Sequence, residues 1–276
     1  MTRIDSKPVG KITLVGAGPG DPELLTLKAL RALKNADVVL HDELIGEEIL
    51  AFIPRIAKVH NVGKRGGRAS TPQHEINTLL VHYASLGLQV VRLKGGDPLV
   101  FGRGGEEIEA VRQAKIEVEI VPGITAAVGA ASRAQIPLTH RNVSSALMLL
   151  TSHRSRKEDQ NAWPSRLPEN TTFVVYMPGF EYEFISRKLI GCGVSPATPV
   201  AVISQATTKE EKVHCTTVEG LPQAPHLAAP TLLVVGEVVR FADHASLREE
   251  YAWLGPEQST SFVPLFNQGN FSGDQE

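Results

Sequence analysis

Two glycine-rich stretches, GAGPGDP at 16–22 and KGGDPLVFGRGGEE at 94–107, each follow an apolar run that reads as a β-strand. Glycine leaves peptide N–H and C=O groups uncovered, so such a turn at the carboxyl end of a strand can meet a ligand with main chain alone. The first stretch has the setting of a dinucleotide fingerprint, with glycines at 16, 18 and 20 before a helical pattern. Its spacing differs, because the fingerprint's third glycine would fall at Asp21 and Pro19 stiffens the turn. The loop is therefore predicted to hold a ligand in another way. In the second stretch, Gly95-Gly96-Asp97-Pro98 leaves a strand, and Arg103 stands between two glycine pairs ahead of Glu106 and Glu107. So much glycine in one segment carries an entropic cost that points to a binding role.

Other groups could contribute charge or proton transfer. Asp42 ends the apolar run VVLH; it suits a ribose-binding carboxylate in a dehydrogenase or a helix cap. Lys64, Arg65, Arg68, Arg103, His140 and Arg141 fall in loops or at helix edges and would form a local basic patch on a chain of net charge −2. That balance argues against a general nucleic-acid binder. Cys192 and Cys215 have no C-x-x-C spacing, so a disulfide framework and a zinc site are both unexpected, and the two thiols read as small apolar residues. The run HRSRKEDQN at 153–161 mixes charges without a period and reads as an exposed loop.

The elements that must carry these residues alternate. Strand-like runs at 11–16, 36–41, 57–62, 88–94 and 117–121 interleave with helical patterns at 22–34, 72–86, 104–115 and 124–134, which predicts a largely parallel sheet covered by helices. Asp21-Pro22 is a good helix start, with a capping carboxylate and proline in the first turn. A second set of strands is read at 146–151, 171–176, 199–204, 212–218 and 231–239. The fold class is α/β, with an N-terminal domain at 1–123, a C-terminal domain at 124–254 and a loose polar tail at 255–276; 276 residues with 42% apolar side chains can bury two such cores. No window is long and apolar enough for a membrane span, and Met1–Gly10 lacks the apolar core of a signal peptide, so a soluble cytoplasmic protein is expected.

The stretches VGAGPGDPELLT at 15–26, GKRGGRASTPQHEIN at 63–77, RLKGGDPLVFGRGGEE at 92–107, VPGITAA at 121–127 and IPLTHR at 136–141 together resemble the tetrapyrrole methylase family. The second and third resemble its uroporphyrinogen-III-methylating branch, and the likeness spans about residues 11 to 240. The resemblance implies a homodimer of two α/β domains with S-adenosylmethionine in the cleft between them. It also implies C-methylation of uroporphyrinogen III at C2 and C7 to precorrin-2, feeding sirohaem, cobalamin or haem d1, with no metal, nucleic acid or membrane partner. Carried over residue by residue, Pro19, Gly95, Gly96, Asp97, Val100, Thr125, Ala126, Met177 and Ala206 would hold the co-substrate. Arg103, Glu106, Arg141 and Met177 would hold the substrate, with Asp42 a candidate proton acceptor, Lys64 a candidate donor and Arg103 a third catalytic candidate. Arginine suits a macrocycle ringed with carboxylates because its planar fork pairs with a carboxylate in two places. Pro178 after Met177, and Ala206 where the family commonly has glycine, depart from its pattern at the adenine end. A methylase of a later precorrin, a diphthine synthase-like enzyme, a nicotinamide-binding oxidoreductase and a non-catalytic carboxylate-binding module are the alternatives.

Overall fold

The computed structural model describes residues 9–63, 71–152 and 163–242. Runs of Val, Ile and Leu form β1 (Lys11–Gly16), β2 (Val38–His41), β3 (Lys58–Asn61), β4 (Val90–Lys94) and β5 (Glu117–Val121). Between them lie α1 (Leu27–Lys34), α2 (Glu47–Leu50), α3 (Gln73–Ser85) and α4 (Gly104–Gln113), and α5 (Ala126–Arg133) follows β5. The strands pair in the order β3-β2-β4-β1-β5, every pairing parallel. Parallel strands need crossovers, and crossovers put helices on both faces. One face accordingly packs Leu14, Leu40, Leu80 and Val111 with α3 and α4, and the other packs Val15, Leu33, Val39 and Leu93 with α1. Because all five strands run the same way, their carboxyl ends lie along one edge. The GAGPGD turn, Asp42, the Gly95–Pro98 turn and the VPGIT segment all leave from that edge.

The helix expected over 22–34 is two pieces. Pro22–Leu24 form a single 3-10 turn capped by Asp21, whose Oδ1 accepts from Glu23 N at 2.8 Å. Leu25 and Thr26 are then extended, and Thr26 caps α1 afresh through Oγ1, which accepts from Ala29 N at 3.1 Å. A threonine that can cap is enough to restart a helix at a kink.

The second sheet holds β6 (Ala146–Thr151), β7 (Thr171–Tyr176), β8 (Pro199–Ser204), β9 (Lys212–Thr217) and β10 (Thr231–Val235), in the order β6-β7-β10-β8-β9. Only β6 and β7 run parallel; the other pairings are antiparallel. The strand expected over 231–239 ends at Val235, because Gly236 at φ 142° turns the chain into a 3-10 segment, Glu237–Phe241. Helix α6 (Tyr182–Gly191), which sequence periodicity did not single out, covers one face with Tyr182, Ile185 and Leu189. Helix α5 covers the other, through Ala127 and Ala130, with Ala134 just past its end. A segment leaving the first sheet thus packs on the second.

Candidate active site

The two glycine stretches are closed on each other. Gly96 N donates to Gly18 O at 2.8 Å, Gly18 N donates to Gly96 O at 3.2 Å, and Ala17 N donates to Lys94 O at 2.8 Å. A Cβ on Gly16 would sit 2.4 Å from Gly123 N, and one on Gly123 would sit 2.2 Å from Gly96 O. The turns after β1, β4 and β5 therefore meet backbone to backbone, which only glycine permits. Asp97 pins the junction: its Oδ1 accepts from Leu99 N at 2.8 Å and its Oδ2 from Gly123 N at 3.1 Å. Gly95 is different, since a Cβ there would meet nothing within 4 Å. The space beside that peptide is open.

This junction also explains why the first stretch is a poor pyrophosphate loop. The Gly18 N–H is already paired, and the Asp21 carboxylate sits at the start of the following turn, where a dinucleotide's phosphates need free donors and positive potential.

Loops of the second sheet reach the same junction. Thr125 Oγ1 lies 2.6 Å from the Tyr176 hydroxyl, which also accepts from Ala127 N at 3.0 Å. Burial pushes the Tyr176 phenol above its ordinary value, while the bond to Thr125 works against that shift, so the group stays a neutral hydroxyl. Asp21 N donates to Thr207 Oγ1 at 3.0 Å, and Thr207 N donates to Glu211 Oε2 at 2.5 Å. A Cβ on Gly129 would lie 2.6 Å from Pro19 Cγ, so α5 rests directly on the first turn. Of eight described non-glycine residues at left-handed φ, five, Phe101, Arg103, Met177, Gln205 and Thr207, lie here at 47° to 69°, and Lys115, Gln135 and Asn170 lie elsewhere. Each such residue costs on the order of 1 kcal/mol or more, and here the five fall in three loops around one junction, the distribution expected of a ligand site.

Contacts link the residues expected to hold a co-substrate. A Cβ on Gly96 would lie 3.7 Å from Ala126 N and 3.8 Å from the Thr125 Cα. Val100, Ala126 and Ala206 join Tyr176 in one apolar cluster, Ala206 O lies against Gly20, and Met177, 45% exposed, follows Tyr176. Among the substrate candidates, Arg103 is exposed and its fork is occupied: Nε donates to Glu106 Oε1 at 2.8 Å and Nη2 to Glu106 Oε2 at 2.7 Å. That pairing raises the Arg103 pKa and holds Glu106 below the usual carboxylate value. Arg141 is exposed, and the neighbouring His140 stacks on Phe241 at 4.7 Å. Lys64, Arg65, Arg68, the charged run at 153–161 and the tail from 255 lie outside the described residues.

Asp42 is neither free nor a helix cap, because α2 begins at Glu47 with Gly46 before it. Its Oδ1 accepts from Arg92 Nη2 in an ion pair. Arg92 Nε donates to Glu107 Oε1 at 2.9 Å, and the same oxygen accepts from Lys94 Nζ at 3.1 Å and Gln73 Nε2 at 3.2 Å. Glu107 is fully buried, Arg92 and Lys94 nearly so. Burial, with Arg92 beside it, lowers the Lys94 pKa; burial also opposes the charge on Arg92, but Asp42 and Glu107 more than offset it and its pKa rises. Sequence reading gave Arg92 and Lys94 no role and noted Glu107 only as a neighbour of the glycine-rich stretch. The available signal was two cations two residues apart in VVRLK, which alternation places on one face of a strand otherwise apolar on both.

An α/β frame whose parallel strand ends offer open backbone, pinned by one aspartate and roofed by loops of a second sheet, defines a ligand-binding enzyme class. The tetrapyrrole (corrin/porphyrin) methylases match residues 11–222. The chain is 47% identical over 247 residues to a uroporphyrinogen-III C-methyltransferase of Paracoccus denitrificans, covering 88% of this chain and 86% of that one. It is 46% identical over 258 residues to siroheme synthase 2 of Aeromonas hydrophila, covering 93% of this chain and 54% of that protein; the chain thus spans about half the length of several such relatives. Among solved structures, the Thermus thermophilus uroporphyrin-III C-methyltransferase complexed with S-adenosylhomocysteine superposes with a TM-score of 0.71 at 38% identity, covering 84% of this chain and 99% of that one. The chain belongs to the tetrapyrrole methylase family.

Proposed function

We propose that the chain transfers methyl groups from S-adenosylmethionine to C2 and C7 of uroporphyrinogen III, giving precorrin-2 for sirohaem, cobalamin or haem d1. The observation that carries this reading is the strand-end junction, with Gly95 open and the turn beside it pinned by Asp97. Likeness to the Paracoccus and Thermus enzymes supports the substrate and co-substrate, and likeness to siroheme synthases favours the sirohaem route. The residues present fit the co-substrate, since a sulfonium amino acid with an adenosyl group needs uncovered backbone, neutral hydroxyls and an apolar wall: Gly95 offers the first, with Gly96 beside it closed on Gly18, Thr125 and Tyr176 the second, and Val100 and Met177 the third.

When bound, S-adenosylmethionine supplies an electrophilic methyl group whose leaving thioether is neutral. The chain's own contribution is alignment and proton handling. In this reading Pro19, Asp97, Ala126 and Ala206 shape the co-substrate's seat, and Arg103 and Arg141 orient the substrate through its carboxylates. A substrate carboxylate would displace Glu106 from the Arg103 fork, so Glu106 keeps that fork ordered until substrate arrives. Methyl transfer leaves the macrocycle with one positive charge; Asp42 accepts the proton whose loss neutralises it, and Lys64 donates a proton only in a double-bond shift in which another is given up.

The domain boundary near 123 in this reading is supported by two separate sheets and by α5 packing on the second. A cytoplasmic homodimer is part of the same proposal; exposed Leu44, Ile56 and Phe180 are candidates for burial between copies, and sedimentation would measure it. The deciding experiment is incubation with S-adenosylmethionine and uroporphyrinogen III without oxygen, followed by mass analysis. A dimethylated product is expected. No methylation, or calorimetric binding of NAD in place of S-adenosylhomocysteine, would overturn the reading.

A further inference from the structure

The charged group under the strand ends is larger than a structural ion pair requires. Two cations of β4, a carboxylate of α4 and an amide of α3 sit on the apolar face that α3 and α4 otherwise fill with Ile76, Leu80 and Val111. Glu107 Oε2 is buried without a hydrogen-bond partner among the described residues, a cost on top of desolvating three charges. Such groups are often replaceable by apolar side chains with no loss of stability, so stability alone is a weak account of this one. The network does have an outlet. Arg92 Nη1 donates to Leu93 O at 3.1 Å and lies 3.4 Å from Leu40 O, Nε is held by Glu107, and Nη2 reaches Asp42, whose side chain is 33% exposed at the edge. Asp42 is held by its backbone as well: its N–H donates to Leu93 O at 3.2 Å and its carbonyl accepts from His41 Nδ1 at 2.8 Å.

We infer that Arg92 and Glu107 are positioning residues for Asp42. Glu107 locks the guanidinium from beneath, the guanidinium grips one oxygen of the Asp42 carboxylate, and the carboxylate therefore presents a single orientation to the site. This rests on the reading of Asp42 as proton acceptor. A fork is needed because one group must touch Glu107 through Nε and Asp42 through Nη2 together, which a lysine ammonium at the same place cannot do.

The test is a mutant cycle in the full chain, measured by single-turnover methyl transfer to uroporphyrinogen III and by the Kd for S-adenosylhomocysteine. Arg92→Lys should slow transfer by about tenfold or more, with the Kd within about twofold of the parent value. In an Asp42→Asn background the same substitution should cost no further rate, because there is no carboxylate left to position. Glu107→Gln keeps the shape and should slow transfer by about threefold, again only while Asp42 is present, and it decides the matter if Arg92→Lys does not fold. Equal losses in both backgrounds, or parental rates in both variants, would overturn the assignment while leaving the functional reading intact. If the parent chain itself transfers no methyl group, the functional reading falls and this assignment falls with it.

Discussion

The two sheets handle buried polarity in opposite ways. Under the parallel sheet, Arg92, Lys94 and Glu107 are buried as charges and share one carboxylate oxygen. Among the described residues, the buried polar side chains of the second sheet and its surroundings are hydroxyls: Ser144, Thr171, Thr172, Ser186 and Ser204. Each has a partner close by, as where Ser186 Oγ donates to Val218 O at 2.6 Å and Ser144 Oγ pairs with Thr172 Oγ1 at 2.8 Å; the buried Tyr182 hydroxyl of α6 is the exception, with no partner among the described residues. A hydroxyl is satisfied by a single acceptor, whereas a buried charge needs a counter-charge and several hydrogen bonds. The mixed sheet is thus a frame that tolerates local repair, and the parallel sheet's edge is an assembly whose members depend on one another. Charge is concentrated where the proposed chemistry lies.

Breaking that contrast at its strongest point should have the largest effect. Glu107→Ala leaves Arg92 and Lys94 buried without the carboxylate they share, and a loss of about 3–5 kcal/mol in urea unfolding is expected. A loss under about 1 kcal/mol would mean the cations relax to water and the network is not an assembly. Asp97→Ala removes the acceptor for two backbone N–H groups of the junction and should weaken S-adenosylhomocysteine binding by about 1–3 kcal/mol by calorimetry. An unchanged Kd in a folded variant would detach the turn from the co-substrate site.

Adjacent glycines of α4 sharpen the comparison within a single turn. A Cβ on Gly104 would lie 2.3 Å from Pro98 O, so Gly104→Ala must shift backbone and should cost about 1–3 kcal/mol. Gly105→Ala meets nothing within 4 Å and should gain up to about 1 kcal/mol from helix propensity. In the second sheet, Ser186→Ala should cost only about 1 kcal/mol and leave methyl transfer unchanged. The smallest effect concerns Cys215, whose thiol burial pushes up to about 11. It should react slowly with iodoacetamide at any pH well below that value and faster once unfolded, because the thiolate is the reactive form. Since the folded pKa is raised, the related stability is complete below the ordinary thiol value and is lost as pH rises through the folded one.

Much of this was legible in the chain. Apolar and β-branched runs located the ten strands of the described residues; β2, β4, β7 and β8, buried along their whole length, are the clearest, while edge strands such as β3 and β9 carry a weaker, partly polar signal. Glycine spacing argued against a dinucleotide loop, and the motifs carried the family. Helix α6 was missed because its register is set by docking on the second sheet, and the 22–34 helix was joined across Leu25 because a cap at Thr26 competes with a helical pattern that runs through it. The resemblance assigns Arg103 to the substrate; what the motif could not show is that its fork rests on Glu106, three residues on, with the Arg103 backbone left-handed.

By itself the sequence determined the α/β class, the strand set and the residues able to expose backbone, since these depend on local sterics and on apolar periodicity. Which turns touch, that Gly18 pairs with Gly96, that Thr207 caps Asp21, and that Asp42 hangs from a buried Arg92–Glu107 pair were decided only by the tertiary structure. Those contacts join residues 50 to 186 positions apart in three of these cases, and strand order, which no local pattern encodes, is what brings them within reach.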